Sequence, residues 1–572
     1  MTISDISLPG LSFPGLSLGA ISMVEKIAGM WPEICLFCTT CIVMVIGLSK
    51  SRALRNMCGP LCGIGLIGAA LLAATTTPDT NTALPNMAMF AKILVAGVGL
   101  VLVCLVAGTA DRDFEKAIDQ GTGFDAIRST RAEFWAFFLF SLTGLMLCAG
   151  ADDLIFLFLA LELTSLPTYV MVSLSTGKNK SMEAGVKYFF LGALGAAIFL
   201  YGFTFIYGGT GHTNLHEIQR VIAAQASSGD ATGMGLSGGI NEITMLGVVL
   251  AIIGICFKIA AVPMHFYTPD VYQGSSASIA GFLAFVPKAA GFFAILLITS
   301  CVGWQFGELG TELPSVLRDA LWMIAVLTMT IGNVLALLQS SVKRILAYSS
   351  IAHSGYMLVG VIAGPGLGAS TFTRNGLAAV LFYLLSYGVM TLGAFAVLAC
   401  LERKNSKGEM EEADNIADIR GLCKTHPVLG WVMVLSSLGL LGLPPLLGFF
   451  GKLPLFTSAI GAGEVPLVLI LGLNSAIAAY YYLRLAFVCY IDSPETSPNL
   501  APMQATPFGS RRVAGVLSAL GVVALAVVGG TLADVAATAG RYVPALGSGS
   551  LQKRPEIKPA EVVEAQADQT QR

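Results

Sequence analysis

Five ionisable side chains lie inside long apolar segments of this sequence: Glu162, Lys258, Lys288, His353 and Lys452. At about 1.5 Å of helical rise per residue, all five fall in one central layer. A lysine or carboxylate at the centre of a membrane-crossing helix costs roughly 2.5 to 3.5 kcal/mol. A carboxylate there tends to take up a proton and a lysine to lose one, while their mutual attraction opposes both changes. The set therefore predicts a path for ions, with proton transfer as its chemistry.

Two of these lysines lie beside predicted helix breaks. Lys258 precedes Pro263 in CFKIAAVP, and Lys452 follows the run GLPPLLGFFG, which contains Pro444 and Pro445. Proline interrupts helical hydrogen bonding, and an interrupted helix exposes amides and carbonyls that can line a hydrated cavity. The alternative for any one charge is that it only pairs with a partner and locks two helices together. Five charges in one layer, two of them at breaks, favour an ion path.

These residues need a framework that spans a membrane, and the composition indicates one. Of 572 residues, 55% are hydrophobic and 12% are charged, and the mean hydropathy is +0.76. Soluble domains carry about 25% charged residues. The net charge of -2 gives no global field that would attract nucleic acid. Apolar runs of about 20 residues predict about fourteen spans, near 31–48, 60–76, 87–108, 134–150, 153–174, 184–207, 243–264, 275–301, 317–338, 344–364, 377–400, 428–460, 465–490 and 513–535.

The predicted organisation is one transmembrane bundle over residues 31–535. An apolar N-terminal extension (1–30) precedes it, and a polar C-terminal tail (536–572) follows it. Lysine and arginine are concentrated in alternate loops, which places both termini on the outer side of the membrane. A cleaved signal peptide is not expected, because the first cation is Lys26, after an apolar start.

Cysteine and histidine patterns give weaker signals. CLFCTTC spaces Cys35, Cys38 and Cys41 as an iron–sulfur motif would, but the run lies inside the first span without a fourth ligand in its vicinity. His212 and His216 are four residues apart and lack a convincing third ligand. We predict helix packing for the thiols, a surface helix for the histidines, and no metal site.

Five ordered motifs give the sequence a family resemblance over about residues 30–490. They are LALELTSLPTYVMVSL, EAGVKYFFLGAL, FKIAAVPMHFYTPDVYQGSSASIAGFLAFVPKAAGF, VKRILAYSSIAHSGYMLVG and GLPPLLGFFGKLPLF. Together they resemble the antiporter-like membrane subunits of respiratory complex I. The LELTSLP form around Glu162, the TPDVYQG and VPKAAGF forms before and around Lys288, and a lysine at 452 where subunit M carries a glutamate are similar to subunit N. These three features favour a resemblance to subunit N over subunits L and M and over multisubunit cation/proton antiporters.

The resemblance implies an all-α integral membrane fold with two inverted five-helix repeats. Spans 4–8 (about 134–301) would form one repeat and spans 9–13 (about 317–490) the other. The seventh and twelfth spans would be discontinuous. The predicted breaks at Pro263 and at Pro444 and Pro445 fall five spans apart, as this arrangement requires.

The resemblance also implies roles for the buried charges. Glu162 and Lys258 would form a couple, Lys288 and His353 would bridge along a central axis, and Lys452 would be the lysine on the exit side.

Two further residues are secondary candidates. Lys187, at the cytoplasmic end of the sixth span, matches another lysine of the family. His265, with Asp270, follows the seventh span and is expected to cap or hydrate the cytoplasmic mouth, with ordinary polar packing as the alternative.

The implied function is proton translocation in the membrane arm of an NADH-quinone oxidoreductase, a translocase in which this chain does no redox chemistry. The chain would bind no cofactor; FMN, iron–sulfur clusters, NADH and quinone would belong to partner subunits. The implied partners are subunit M, the small subunits K and J, and the lipid bilayer of a bacterial inner (plasma) membrane, with no nucleic acid. Two alternatives stay open: a subunit of a multisubunit sodium/proton antiporter, and a scaffold that fills the membrane arm.

Overall fold

The computed structural model describes most of the sequence between residues 27 and 544. The described residues are 27, 29–76, 82–121, 124–126, 128–176, 178–228, 239–307, 310–366, 372–404, 410–490, 504–506 and 508–544. Most of the predicted N-terminal extension and polar tail lies outside these ranges.

The described chain is mainly helical, as predicted. Its α-helices, in chain order, are α1 (Trp31–Gly47), α2 (Arg52–Asn56), α3 (Cys58–Ala73), α4 (Met87–Val106), α5 (Arg112–Asp119), α6 (Arg131–Ala149), α7 (Leu154–Leu174), α8 (Asn179–Thr210), α9 (Leu215–Ser228), α10 (Glu242–Ile255), α11 (Tyr267–Gly274), α12 (Ala277–Val302), α13 (Ser315–Leu337), α14 (Val342–Ala363), α15 (Gly376–Cys400), α16 (Leu422–Thr425), α17 (Pro427–Leu441), α18 (Leu447–Gly461), α19 (Val465–Tyr490), α20 (Gly509–Val527) and α21 (Gly529–Ala539). Two short 3-10 helices cover Phe372–Arg374 and Ile416–Ile419.

The membrane bundle is confirmed, while the number of crossings stays a prediction. Among the described residues, ten helices are long and apolar enough to cross a membrane. They are α4, α6, α7, α8, α12, α13, α14, α15, α19 and α20. Four shorter apolar helices, α1, α3, α10 and α17, accompany them. The relation of the two halves by inversion also stays a prediction.

A small β-sheet at one end of the bundle was not predicted. Strand β1 (Leu401–Lys404) pairs antiparallel with β2 (Met410–Glu412) and with β3 (Gln504–Ala505), in the order β2-β1-β3. Its residues are charged and lack a long alternating pattern, so the sequence gives little strand signal. The sheet ties the loop after α15 to the segment before α20.

The helices that carry the central charges lie in the middle of the bundle. Every residue in the most apolar stretch of α12 and of α14 is buried, whereas only 33% of the corresponding stretch is buried in α8 and in α19. A helix that is apolar around its whole circumference is expected to be surrounded by other helices. Lys288 and His353, which lie on α12 and α14, are therefore enclosed by protein.

The first predicted helix break is confirmed but begins earlier than expected. The sequence predicts a span to residue 264, whereas α10 ends at Ile255 and α11 begins at Tyr267. Lys258 therefore lies in irregular chain, and its predicted place within a helix is wrong. Pro263 cannot donate a backbone hydrogen bond, and it disfavours helical geometry at the residue before it. Ala260 adopts a left-handed conformation with φ of 56°.

Side chains from neighbouring helices satisfy the backbone groups that this break exposes. The Tyr267 hydroxyl donates to the carbonyl of Phe257 at 2.8 Å, and the Ser354 hydroxyl donates to the carbonyl of Ile259 at 2.5 Å. The Val262 amide donates to the hydroxyl of Thr328 at 3.0 Å. An unpaired backbone group would be costly inside a membrane. These contacts explain how irregular chain is held at this depth.

The second predicted break is also confirmed. Helix α17 ends at Leu441, Gly442 takes a left-handed conformation with φ of 87°, and α18 begins at Leu447. The segment between the helices contains Pro444 and Pro445. Lys452 lies in the second turn of α18, close in sequence to the break.

Candidate functional site

Lys258 and Glu162 form a buried ion pair. The Lys258 Nζ atom lies 2.9 Å from Glu162 Oε1 and donates to the Ser165 hydroxyl at 2.6 Å. The side chain of Lys258 is 1% exposed and that of Glu162 is 17% exposed. Glu162 and Ser165 are three residues apart on α7, so both point to the same side of the helix. The predicted couple is thus brought together, with Ser165 as a member that the sequence did not predict.

Lys288 is held by neutral acceptors on α14. Its Nζ atom donates to the backbone carbonyl of Ser350 and to the Ser350 hydroxyl, the latter at 2.7 Å. It also lies 4.5 Å from the centre of the Tyr387 ring. Within the described ranges, no carboxylate lies within 4 Å of this ammonium group. Lys288 therefore depends on hydroxyl and carbonyl oxygens and on an aromatic face.

His353 lies among buried tyrosines. Its Nδ1 atom is 2.7 Å from the Tyr383 hydroxyl, and its Nε2 atom is 2.8 Å from the Tyr482 hydroxyl. The rings of Tyr387 and Tyr356 pack against the imidazole at centre-to-centre distances of 5.0 and 5.4 Å. None of these four tyrosines was predicted as a site residue. Their type gave no specific signal, because they come from three helices and approach the imidazole only in the folded bundle.

Lys452 binds the end of the preceding half-helix. Its Nζ atom donates to the carbonyl of Leu441 at 2.8 Å, the last residue of α17. The same atom lies 5.3 Å from the centre of the Tyr356 ring. In the part of the chain that the structure describes, no carboxylate lies within 4 Å of it. The break thus provides a carbonyl acceptor for this lysine.

A small internal cavity connects the two lysines of the first half. It is lined by Lys258 and Lys288 together with Ala260, Leu283 and three tyrosines, Tyr188, Tyr267 and Tyr272. Its volume is about 10 Å³, which is close to the smallest space that holds one water molecule. The cavity is polar on several sides, so it suits a single bridging water.

A larger, open cavity lies at one end of the bundle, where α8 and α11 meet. It has a volume of about 260 Å³ and is lined by Lys180, Glu183, Ala184, Lys187, Asp270, Gln273 and Gly274. We call this cavity the vestibule. Lys187 Nζ lies 2.6 Å from Glu183 and 3.8 Å from Asp270, and the Lys187 side chain is 45% exposed. Lys187 is therefore a residue of the vestibule and does not join the central charges.

His265 also stays outside the central group. It lies in the irregular segment before α11, and its ring packs against Phe266 at 4.8 Å. No contact with the five central residues is found among its described interactions. Its role at the mouth of the path remains a prediction.

An ion cluster at the same end as the vestibule anchors α12 and α14. Glu412, on β2, accepts hydrogen bonds from Lys343 Nζ at 2.9 Å and from the Ala277 amide at 2.7 Å. Lys343 also donates to the carbonyl of Ser275 at 3.0 Å. Burial alone would raise the pKa of Glu412, but attraction to Lys343 and Arg511, together with these hydrogen bonds, holds that pKa below its ordinary value. The β-sheet is thus bound electrostatically to the starts of the two central helices.

The central residues carry acid–base groups. Glu162 and Lys258 are in contact, and Lys288, His353 and Lys452 are buried on α12, α14 and α18. Groups of these types can bind and release protons when their electrostatic surroundings change. Within the described ranges, no group of three or more His, Cys, Asp or Glu residues could hold a metal ion.

Comparisons with known proteins agree with this geometry. A family model described as "NADH:quinone oxidoreductase/Mrp antiporter, TM" matches residues 151–478. NADH-quinone oxidoreductase subunit N of Trichlorobacter lovleyi is 36% identical over 81% of this chain and 87% of its own length. Subunit N 1 of Sorangium cellulosum is 39% identical over 70% of this chain and 74% of its own length.

Solved structures show the same fold. A chain of respiratory complex I from Thermus thermophilus has a TM-score of 0.68 at 29% identity and covers 88% of this chain and 99% of its own length. A chain of an Mrp complex from a Dietzia species has a TM-score of 0.69 at 17% identity, over 90% of this chain and 97% of its own length. The second likeness concerns the fold alone.

Two broken spans, with a buried lysine at or close to each break, are the features of an antiporter-like membrane subunit. The similarity of the relatives extends over most of the chain and is not limited to the matched central region. The chain belongs to the NADH-quinone oxidoreductase subunit N family.

Proposed function

We propose that this chain translocates protons in the membrane arm of an NADH-quinone oxidoreductase and does no redox chemistry itself. The observation that carries this proposal is the buried Lys258–Glu162 pair, at 2.9 Å, beside a cavity that leads to Lys288. A buried pair can hold a proton in a charged form, and a nearby change of charge can release it. Transport of protons requires both states.

Protons reach the pair from the vestibule. Lys187 and Asp270 line this open cavity, while Tyr188 and Tyr267, on the same two helices, line the small cavity at Lys258. The same two helices, α8 and α11, therefore form part of the wall of both cavities. We assign proton uptake to this end of the bundle, and the small cavity carries the proton onward.

From Lys258 the proton passes to Lys288, then by way of His353 to Lys452 and to the opposite surface. Lys288 is bound to Ser350 on α14, the helix that also carries His353. Lys452 lies at the second break, where the carbonyl of Leu441 receives its hydrogen bond. A broken helix offers polar backbone to a transported ion, and this construction recurs in transport proteins.

The rest of the machinery belongs to other subunits. The relatives named NADH-quinone oxidoreductase subunit N and the complex I structure support an assembly in which FMN, iron–sulfur clusters, NADH and quinone are bound by partner chains. We assign subunit M and the small subunits K and J as neighbours in this membrane arm. We assign the chain to a bacterial inner membrane. The loop charges support an orientation in which the vestibule faces the cytoplasm and both termini face outward.

The proposal is tested by substituting Lys258→Ala in the complete complex, in inverted membrane vesicles. We expect the ratio of protons pumped to NADH oxidised to fall sharply, while the amount of assembled complex stays the same. Lys50→Ala, at an exposed position outside the described helices, is the matched control. An unchanged ratio in Lys258→Ala would contradict the proposal, and a loss of assembly alone would favour a scaffold.

A sodium/proton antiporter subunit is the second candidate, because the family model and the Mrp complex share this fold. Purification of the intact assembly in mild detergent distinguishes the two. A large assembly with flavin, iron–sulfur absorbance and NADH oxidation supports the proposed function. An assembly of small membrane partners without redox centres, with sodium-dependent growth defects in variants, supports the antiporter.

A further inference from the structure

Both nitrogens of the His353 ring are engaged by tyrosine hydroxyls. Tyr383, on α15, binds Nδ1 at 2.7 Å, and Tyr482, on α19, binds Nε2 at 2.8 Å. The imidazole is completely buried. Every hydrogen bond that the ring can make is therefore directed to one of these two hydroxyl groups.

This geometry fixes how a neutral ring can carry a proton. A neutral imidazole has one N–H donor and one bare nitrogen acceptor, so one tyrosine must donate to it and the other must accept from it. Two arrangements fit the same heavy-atom positions, and they differ in the tautomer of His353. Changing from one to the other moves a proton into one side of the ring and out of the other.

The Tyr482 hydroxyl links the imidazole to a second residue of α14. It forms a hydrogen bond to the Ser349 hydroxyl as well as to His353. Ser349 is followed on α14 by Ser350, which holds the Lys288 ammonium through its carbonyl and hydroxyl groups. The hydrogen-bonded chain from His353 thus reaches the residue next to the one that binds this lysine.

The Tyr383 side faces the second break. The Tyr383 ring packs closely on Gly451, the residue directly before Lys452: a Cβ atom at Gly451 would lie 2.9 Å from Tyr383 Cδ2. The two tyrosines thus approach the imidazole from α15 and α19.

We propose that Tyr482 and Tyr383 are proton-relay residues on either side of His353. This inference rests on the proposed function and adds two residues to its path. The described hydrogen bonds end at Ser349 on one side and at Tyr383 on the other. A water molecule or a side-chain rotation must close the remaining distance to each lysine.

The transfer conserves protons at each atom. Tyr482 accepts a proton from the Ser349 side and gives its own to Nε2, where an N–H bond forms. At the same time the N–H bond at Nδ1 breaks and its proton passes to the Tyr383 oxygen, which releases its former proton toward Lys452. The ring begins and ends neutral but ends as the other tautomer. Before the next proton passes, the starting tautomer must be restored, by rotation of the imidazole or by proton exchange through a water molecule, and the hydroxyls must rotate back.

The test removes one hydroxyl at a time and keeps each aromatic ring. Tyr482→Phe and Tyr383→Phe are made in the complete complex, and both the rate of pumping and the number of protons pumped per NADH oxidised are measured in inverted vesicles. Tyr481→Phe is the matched control, because Tyr481 is the adjacent residue, is equally buried, and donates its hydroxyl to Asn333 at 2.9 Å. We expect about a tenfold loss of pumping rate in both relay variants, a changed solvent deuterium isotope effect, and near-normal pumping in the control.

The outcomes separate this inference from the proposed function. If Lys258→Ala stops pumping while both relay variants pump like the control, the relay is overturned and the function stands. If Lys258→Ala pumps normally, the function itself is overturned. Equal losses in all three tyrosine variants, without a changed isotope effect, show a structural role for buried hydroxyls and also overturn the relay.

If the Tyr482→Phe complex fails to assemble, a second change at the same position tests the relay. Replacing Tyr482 with 3-fluorotyrosine keeps the ring and both hydrogen bonds but makes the hydroxyl more acidic. A changed pumping rate or isotope effect supports the relay, and unchanged values for both overturn it.

Discussion

The two broken helices place their lysines in different surroundings. At the first break, Lys258 has a carboxylate partner, Glu162, at 2.9 Å. At the second, Lys452 has the carbonyl of Leu441 at 2.8 Å and an aromatic ring, and the described residues offer it no carboxylate within 4 Å. Both lysines are buried. Both breaks therefore combine an interrupted helix with a buried lysine. They differ in whether a carboxylate lies next to the ammonium group.

This difference changes how each ammonium group is stabilised. A buried ammonium without a counter-ion costs several kcal/mol more than one that is paired. The Lys258 ammonium is attracted by Glu162, whereas the Lys452 ammonium relies on a backbone carbonyl and an aromatic ring.

The largest expected effect is at the close approach of α17 and α18. A Cβ atom at Gly448 would overlap the carbonyl oxygen of Gly439, so Gly448→Ala must push two backbones apart. We expect a loss of more than about 3 kcal/mol, measured as little assembled complex and a low Tm. Beside the first break, a Cβ atom at Gly291 would lie 2.5 Å from Ile259 Cγ2, 3.0 Å from Lys258 Cβ and 3.3 Å from the backbone nitrogen of Ile259, so its closest contact is with a side chain. Gly291→Ala should therefore be milder.

Gly461→Ala, also in α18, is the control for this pair, because a Cβ atom there would have no neighbour within 4 Å. Equal Tm values for Gly448→Ala and Gly461→Ala would show that the two half-helices do not need this contact.

Removing the counter-ion makes the first break resemble the second. Glu162→Gln leaves Lys258 buried without an opposite charge, which costs about 3 to 5 kcal/mol while the lysine stays charged. We expect a lower Tm of the purified chain, read with a thiol-reactive dye that detects exposure of buried cysteines such as Cys148 and Cys256, and a loss of pumping.

The exposed pair of Glu217 with Arg220 gives the control for this change. These side chains are 39% and 58% exposed and their closest charged atoms are 3.1 Å apart. Glu217→Gln should change stability by less than about 1 kcal/mol. If Glu162→Gln is no worse than Glu217→Gln, the proposed difference between the two breaks is incorrect.

A smaller effect is expected at Glu412, which anchors the central helices of both halves. Its folded-state pKa lies below the ordinary value of 4.5, so its stabilising contribution is present above that pH and is lost as the pH falls through the folded-state pKa. Glu412→Gln should lower the Tm at pH 7, by an amount equivalent to about 1 to 3 kcal/mol.

The difference in Tm between Glu412→Gln and the unmodified chain should shrink as the pH falls below 4.5. A difference that stays constant from pH 7 to pH 4 would mean that the carboxylate charge is not what stabilises this cluster.

The smallest expected effects come from two residues with positive φ, one at each break. Ala260 has φ of 56° and Gly442 has φ of 87°. Ala260→Gly should relieve strain and raise the Tm, while Gly442→Ala should introduce strain and lower it, each by about 1 kcal/mol. Opposite shifts of similar size would show that both breaks use the same backbone conformation, and shifts of the same sign would show that they do not.

The sequence predicted the features that depend on composition and on residue type. Long apolar runs defined the bundle, prolines located both breaks, and the cost of a charge in a membrane identified the central residues. It could not predict that α10 ends at Ile255, because CFKIAAV is apolar and compatible with helix. What ends the helix is Pro263 together with hydrogen bonds from Tyr267 and Ser354, which become neighbours only in the folded bundle.

The missed members of the site share one property. Ser165, Ser350 and Tyr482 come from different helices and lie beside a central charge only after folding. Serine and tyrosine are common in membrane helices, where serine often binds its own backbone. Their types therefore gave no specific signal. Lys187, a secondary candidate predicted at the cytoplasmic end of the sixth span, lies in the vestibule at one end of the bundle.

Glu162, Lys288 and His353 each lie near the midpoint of their helices, which has an electrical consequence. A charge that crosses the whole membrane does about 2.3 kcal/mol of work per 100 mV, but a charge that moves sideways at constant depth does almost none. In the proposed path, the membrane voltage would therefore fall across the uptake and release segments. Proton transfers between the central residues would depend on neighbouring charges and would be nearly independent of the voltage that the cell maintains.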